Sequence, residues 1–534
     1  MKKALFGLVF LATLCFLVGS SVFGYTFIKP DEPLYIQIAL DMEHLHSFWI
    51  PLNHGAPDFV KPPFVYWLEL VAFHIFGINI FAAKFFVWII GILTLFFTYK
   101  IGEVVFQDKE KGLLASLLLF SNIYFFPYSQ AVMMDVPLVF FVVLSTYVFI
   151  LASKGKRFWL LLCGAIIGFS TLVKGPVGIL LCLIPILFYA WSYNAFQPFF
   201  AKEGILFVVI LLFSTLAWPL LLFAKGYGTK WFDQFILIEN FGKFSGPRIS
   251  FTILVTGLLL GMIPWSFFLV ESFWKGVKFI RVQKEKLFFI GWIVGIFFVF
   301  LLPARKLPHY MMPAAPACAL LLASETNGST WAFWGTRILL ACLGFLWLLG
   351  IRLASSFVVK LLVLAGGISL FSASFFLKDA SNRLQSAFLF GIFLSIFSIV
   401  FPAIQAPGQN LAVARLEKLK KVAVFAPDDL APKGFELSPN FSTCRTVQEA
   451  EAFLSSGGTL VIAQHDEALL ASIPLQIQFS WRVWKSGVPF GVVLKAILQG
   501  NPNLAMEKML VARQLIQKGE FTNPHTLSFS FVSL

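Results

Sequence analysis

Long apolar runs separated by short polar intervals occupy the chain from its first residues to about position 404. Many approach 20 residues, the length an α-helix needs to cross about 30 Å of hydrocarbon. Hydropathy places the first run in 1–24 and the others at roughly 81–105, 112–127, 136–153, 158–173, 176–193, 204–224, 251–274, 287–303, 308–324, 331–350, 354–377 and 386–404. The expected fold is a polytopic α-helical membrane protein of about 13 transmembrane helices, over 1–404. Val22-Phe23-Gly24 loosely resembles a signal-peptide cleavage site, but the run before it is long enough to span and is read as an uncleaved anchor. An aromatic-rich helix over 64–76 reads as interfacial rather than spanning. From about 405 the pattern changes, as VAVFA, TVQEAEAFLSS, GTLVIAQ and VVLKAIL alternate strand-like and helix-like periods. That alternation predicts a small C-terminal α/β domain over 405–534, outside the membrane.

Composition narrows the class. The chain is 58% hydrophobic and 13% charged, against about 25% charged in a soluble globular domain. Net charge is +14, yet the lysines and arginines sit in loops between spans and form no basic stripe with interleaved aromatics, so no nucleic-acid partner is expected. The 17% aromatic content fits lipid-facing surface and interfacial belts. Six cysteines, at 15, 163, 182, 318, 342 and 444, show no paired spacing and support neither a disulfide framework nor a zinc ribbon.

Charge placement sets the orientation. KGKR (154–157) and KGVKFIRVQKEK (275–286) are strongly basic and fall on the cytoplasmic side together with Lys2 and Lys3. The opposite side keeps Lys61, Lys174, Lys243, Arg248, Arg305 and Lys306, and cations held on the wrong side suit a bound phosphate. That side also carries the first long polar interval, within a juxtamembrane loop over 25–76 on the outer face. It holds the acids Asp31, Glu32, Asp41, Glu43 and Asp58 with His44, His46 and His54. Carboxylates are costly where a chain leaves a membrane and read as functional there.

Six sites on this outer face share a style, a charge beside proline or glycine at the mouth of a helix. They are Asp31-Glu32-Pro33, Lys61-Pro62-Pro63, Asp135-Val136-Pro137, Lys174-Gly175-Pro176, the stretch Glu239-Asn240 to Arg248, and Arg305-Lys306-Leu307-Pro308-His309-Tyr310. Proline suits the first turn of a helix and fixes φ there, so each charge is held at a defined spot. Converging cations would neutralise a phosphate leaving group, and a carboxylate would orient or deprotonate an acceptor hydroxyl.

In order along the chain, DEPLY, KPPFVYWL, MMDVP, LVKGPVG, ENFGKFSG and KLPHYMMPAAPA resemble the bacterial aminoarabinose (lipid A) transferase group. That group is related to the protein O-mannosyltransferases and has the GT-C membrane fold; the resemblance covers about 25–320. It implies an inverting glycosyltransferase of the bacterial inner membrane with its active site facing the periplasm. The donor would be a polyprenyl-phosphate sugar, with 4-amino-4-deoxy-L-arabinose or a hexose as candidate sugars. The acceptor would be lipid A or another envelope glycolipid, glycan or protein. Carried over by position, Asp31 and Asp135 are the implied catalytic acids, and Lys61, Arg248, Lys306 and Tyr310 the donor-phosphate contacts. Glu32, Lys174, Glu239, Asn240 and His309 are candidates for the substrate cavity. The family commonly places an acid immediately before the KPP turn, tied to metal binding; here that position is Val60, so no metal site is assigned and a divalent cofactor is unsupported. The competing reading is a transporter or flippase of lipid-linked sugars, which would need ionisable groups near the bilayer midplane and broken helices in paired positions.

Overall fold

The computed structural model describes residues 32–53, 55–325, 328–353 and 357–377, parts of 386–400, and 422–425, 441–473, 475–484 and 506–514. The expected first span, Asp31, His54 and the expected junction at 404–405 lie outside the described residues.

The body is helical. After α1 (Glu32–His44) come a two-residue hairpin, β1 (Leu52–Asn53) with β2 (Ala56–Pro57), and the short apolar α2 (Phe64–Phe76). There follow α3 (Ile80–Phe106), α4 (Lys109–Phe120), α5 (Asp135–Ser153), α6 (Trp159–Lys174), α7 (Val177–Tyr193) and α8 (Lys202–Ala224). A second set comprises α9 (Thr252–Gly261), α10 (Ser266–Phe279), α11 (Lys284–Leu301), α12 (Ala315–Ser324), α13 (Thr330–Leu349) and α14 (Phe357–Phe376). Among the described residues, five helices are long and apolar enough to cross a membrane by length and composition alone, six if α9 and α10 count as one. The run expected at 251–274 is that pair, bent by 114° at a break holding Pro264, which cannot continue a helix from the preceding turn. The helix over 64–76 forms as expected.

Local sequence explains the corners. Asn79 caps α3 by accepting from the Ala82 amide at 2.9 Å, and Asp108 caps α4 by accepting from Glu110 and Lys111 at 2.8 and 3.3 Å. These two helices close on each other through small residues: a Cβ on Gly102 would lie 2.7 Å from the Gly112 backbone. Helix α8 packs on α6, and α11 on α7, around a core that includes Trp88, Trp265, Trp292, Phe149 and Phe288.

The C-terminal part forms a five-stranded sheet, ordered β4-β3-β5-β7-β6, from β3 (Val422–Phe425), β4 (Phe441–Cys444), β5 (Thr459–Ala463), β6 (Leu475–Trp484) and β7 (Met506–Gln514). The pairs β3–β4 and β3–β5 are parallel, and β5–β7 and β6–β7 antiparallel. Helix α15 (Val447–Ser455) starts with a capping box between Thr446 and Glu449 and buries Ala450 and Leu454 against Phe425 and Leu460. This is the α/β pattern expected of that region; VVLKAIL lies outside the described residues.

Two buried acids stand near the start of α1 and on α2. Glu32, fully buried, pairs with Lys84 of α3 at 3.6 Å and accepts from the Val132 amide at 2.8 Å. Glu69 of α2 is 2% exposed, and neither of its carboxylate oxygens has a hydrogen-bond partner among the described residues. Burial pushes the Glu69 carboxyl well above its ordinary value, and the nearby Glu32 charge adds to this. An acid whose folded pKa is raised takes up a proton on folding above the ordinary carboxylate range, so it costs stability there and costs nothing below it. Glu69→Gln should therefore raise the melting temperature of the detergent-solubilised protein at neutral pH, by on the order of 1–3 kcal/mol in stability. The gain should vanish on acidification through the ordinary carboxylate range, as scanning calorimetry across pH will read.

Candidate active site

Helix polarity builds the first half of the site. Asp135 occupies the first turn of α5, with Pro137 beside it, where the helix dipole favours an anion. Lys174 is the last residue of α6, where the dipole favours a cation. The two helices pack together, which brings these ends to one face, and Lys174 Nζ donates to Asp135 Oδ1 at 2.8 Å. Gly175 has φ +74°, in the left-handed region, and a Cβ there would stand 2.5 Å from the Phe235 ring. Only glycine turns the chain so tightly after Lys174 while leaving room for Phe235.

The second half lies between α8 and α9. A π-helical stretch, Phe232–Asn240, runs into a single 3-10 turn, Phe241–Phe244. π-Helical turns are rare and concentrate at functional sites. At its end Glu239 takes an ion pair from Lys61 of the KPP turn, and a second from Lys243 at 2.7 Å. The Lys243 carbonyl accepts from Ala304 at 2.8 Å and Arg305 at 3.5 Å, tying this segment to the loop after α11. In that loop the Tyr310 ring lies 5.3 Å from Lys174 Nζ, and His309 packs tilted against Tyr128 and edge-on to Tyr310 at centroid distances of 5.0 and 5.2 Å. Lys174 is the nearest charge to Tyr310, and the charges of Asp135 and Glu239 lie within electrostatic reach of its hydroxyl. The two ion-pair groups are therefore one electrostatic neighbourhood, with Lys174 also felt at Lys243.

Lys61, Asp135, Lys174, Glu239, Tyr310 and His309 thus meet, though they come from stretches nearly 250 residues apart. Asn240 stands at the edge, its amide donating to the Phe235 carbonyl at 2.6 Å. Other expected residues fall elsewhere. Lys306 is buried, and its ammonium donates to the Pro303 carbonyl at 2.5 Å. Arg248 is exposed and joins none of the ion pairs among the described residues. Glu32 is sealed against Lys84. In place of Arg248 and Lys306 the cluster holds Lys243 and the charge of Arg305. Both were visible as outer-face cations, but their side-chain direction is a tertiary property that spacing does not carry. Val60 is exposed, its amide donating to Asp58 Oδ1 at 2.8 Å, and no group of three or more metal-binding side chains assembles among the described residues.

In total, three ammoniums (Lys61, Lys174, Lys243) pair with two carboxylates (Asp135, Glu239) among the described residues, and Arg305 adjoins them through its amide on the Lys243 carbonyl. Such an excess suits an anion, and Lys174, bound to Asp135, also lies 5.3 Å from the face of Tyr310. Burial tends to raise the Glu239 carboxyl, but the Lys61 and Lys243 ammoniums outweigh it and hold it below its ordinary value. Burial lowers the Lys243 ammonium; the Glu239 hydrogen bond opposes this, and the Lys61 charge reinforces it.

Residues 60–221 match the family described as dolichyl-phosphate-mannose-protein mannosyltransferase. An uncharacterized protein of Aquifex aeolicus is 28% identical over 313 residues, covering 58% of this chain and 61% of that one. The undecaprenyl phosphate-alpha-4-amino-4-deoxy-L-arabinose arabinosyl transferase 2 of Proteus mirabilis is 26% identical over 308 residues, covering 55% of this chain and 54% of its own length. The match therefore spans a little over half the length of these relatives. Among solved structures, ArnT from Cupriavidus metallidurans bound to undecaprenyl phosphate superposes with a TM-score of 0.69 at 17% identity, over 96% of this chain and 98% of that one. That likeness is one of fold.

A lysine with a lowered pKa offers its free amine at lower pH. Amine-reactive labelling mapped by peptide mass spectrometry should modify Lys243 at a lower pH than an ordinary exposed lysine. Lys61→Met, by removing the neighbouring positive charge, should move that onset upward.

Proposed function

We infer that this chain, a GT-C membrane protein of the aminoarabinose-transferase-like group, is a glycosyltransferase that takes its sugar from a polyprenyl-phosphate donor. The observation that carries the reading is the excess of cations over carboxylates where Lys61, Lys174 and Lys243 pair with Glu239 and Asp135. The likeness in fold to ArnT, solved bound to undecaprenyl phosphate, supports the reading. The site would face the periplasm from a bacterial inner membrane, with residues 1–404 as the transferase domain and 405–534 as a periplasmic domain.

In this reading an acceptor oxygen attacks the anomeric carbon from the face opposite the phosphate. The new carbon–oxygen bond forms as the anomeric carbon–oxygen bond to phosphate breaks, and polyprenyl phosphate leaves with the electron pair. The configuration inverts. Cations held beside the phosphate stabilise the charge it gains, a term that grows in a site shielded from water. Asp135 Oδ1 is already taken by Lys174 Nζ at 2.8 Å, so in this reading Asp135 would orient rather than deprotonate. That leaves Asp31 as the acid-base candidate. It directly precedes Glu32 in the DEPLY stretch on which the family resemblance rests. Should the acceptor be a lipid A phosphate, it is ionised near neutral pH and needs no strong base; a sugar or protein hydroxyl does need one.

Mass spectrometry of envelope lipids from hosts with the gene intact, deleted, or carrying Asp31→Asn tests this reading. Deletion should remove a defined mass increment from an acceptor or accumulate a polyprenyl-linked sugar. Asp31→Asn should leave residual activity with a phosphate acceptor and almost none with a hydroxyl acceptor. Full turnover by that variant would remove Asp31 from the chemistry, and no change in any lipid pool on deletion would overturn the enzyme reading.

A further inference from the structure

One oxygen, Glu239 Oε1, accepts from two ammoniums at once, Lys61 and Lys243. Neither lysine pairs with another carboxylate among the described residues. An oxygen cradled by two ammoniums is also what a phosphate oxygen meets in a lysine-lined site, because both anions accept short charge-assisted hydrogen bonds. We propose that Glu239 is an exchangeable counter-anion, displaced from Lys61 and Lys243 when a polyprenyl phosphate binds and returning to expel the spent carrier. The proposal rests on the donor class inferred above and adds to it a residue that sets how long the phosphate stays.

Exposure separates this pair from the permanent ones. The side chains of Lys61, Glu239 and Lys243 are 21%, 20% and 32% exposed, open to an incoming anion. The Glu32–Lys84 pair, at 0% and 4%, is sealed. The surroundings also permit the exchange. The Lys243 backbone is pinned by Ala304 and Arg305, so its side chain can change partners while its position holds. The freed carboxylate has another cation close by, since Lys174 already feels the Glu239 charge. The direction of the effect follows from chemistry. The spent carrier is a phosphate monoester and carries more negative charge than the phosphodiester donor, so two unshared lysines would hold the product harder than the substrate. A built-in competitor weakens both and shortens the residence of the product.

The test uses the full-length protein in detergent, undecaprenyl phosphate as probe and undecaprenol as the uncharged control. Affinity and dissociation rate are read by surface plasmon resonance. Glu239→Gln should bind undecaprenyl phosphate about fivefold tighter and release it correspondingly more slowly, the scale of a partly exposed ion pair. Lys61→Met and Lys243→Met should bind it more weakly, and adding Glu239→Gln to Lys243→Met should recover less than the fivefold gain. Glu239→Asp, which keeps the charge on an arm too short to bridge both ammoniums, should show a partial gain and keeps the test alive should the glutamine variant melt early. If Glu239→Gln and Glu239→Asp bind no tighter than wild type, or more weakly, Glu239 is a brace for the lysines and the proposal falls. Equal binding of undecaprenol and undecaprenyl phosphate by the wild type is a different failure: it would overturn the donor reading itself, and this inference with it.

Discussion

Charge beside hydrocarbon is tolerable only when it is paired or wet, and this constraint shapes the end of the helical body that carries the site. An isolated ionised group in a medium of low dielectric costs several kcal/mol even after relaxation. The chain meets that cost in graded ways. Glu32 and Lys84 are sealed together, Asp135 and Lys174 are half-shielded across two helix ends, and Lys61, Glu239 and Lys243 share one oxygen near the surface. The depth of each pair follows the element that carries it. Those on packed helices are fixed, and the one on an irregular turn keeps access to solvent.

The site is thus a meeting of helix mouths rather than a groove along any one helix. Asp135 opens α5, Lys174 closes α6, and Lys61 precedes α2. Dipoles at the ends of α5 and α6 favour the charges of Asp135 and Lys174, whereas Lys61, at the N-terminal side of α2, is held by Glu239 instead; the prolines and Gly175 set the exit angles. The long helices serve as struts, holding charged ends within hydrogen-bond range across more than a hundred residues of sequence.

Much of this was legible in the chain beforehand, for reasons tied to particular residues. The helix read at 136–153 runs over 135–153, because an unbroken apolar run bounded by Asp135 and Lys154 has few other ways to satisfy its backbone. The run at 251–274 was not legible as two helices, since hydropathy measures apolarity and not direction, and the bend at 261–266 leaves the average unchanged. In the C-terminal region VAVFA, GTLVIAQ and TVQEAEAFLSS stand where strands β3 and β5 and helix α15 form. Strand β7 breaks the alternation, with Glu507 and Lys508 adjacent, and was hidden by that; β6 alternates regularly from Leu475 to Val483 and was legible as a strand. Within the site the residue types were legible and their directions were not, which is why Lys243 stands in the cluster and Lys306 turns to the Pro303 carbonyl.

The buried bond between Glu32 and Lys84 has an evolutionary corollary. Losing either partner alone would strand its mate as an uncompensated charge, whereas exchanging both for apolar side chains of similar bulk is a smaller step. The two positions, 52 residues apart along the chain, should therefore drift as a unit across divergent relatives, charged together or neutral together. Because Glu32 also reaches the Val132 amide in the approach to Asp135, that drift would register in the geometry of two helix mouths at the same time.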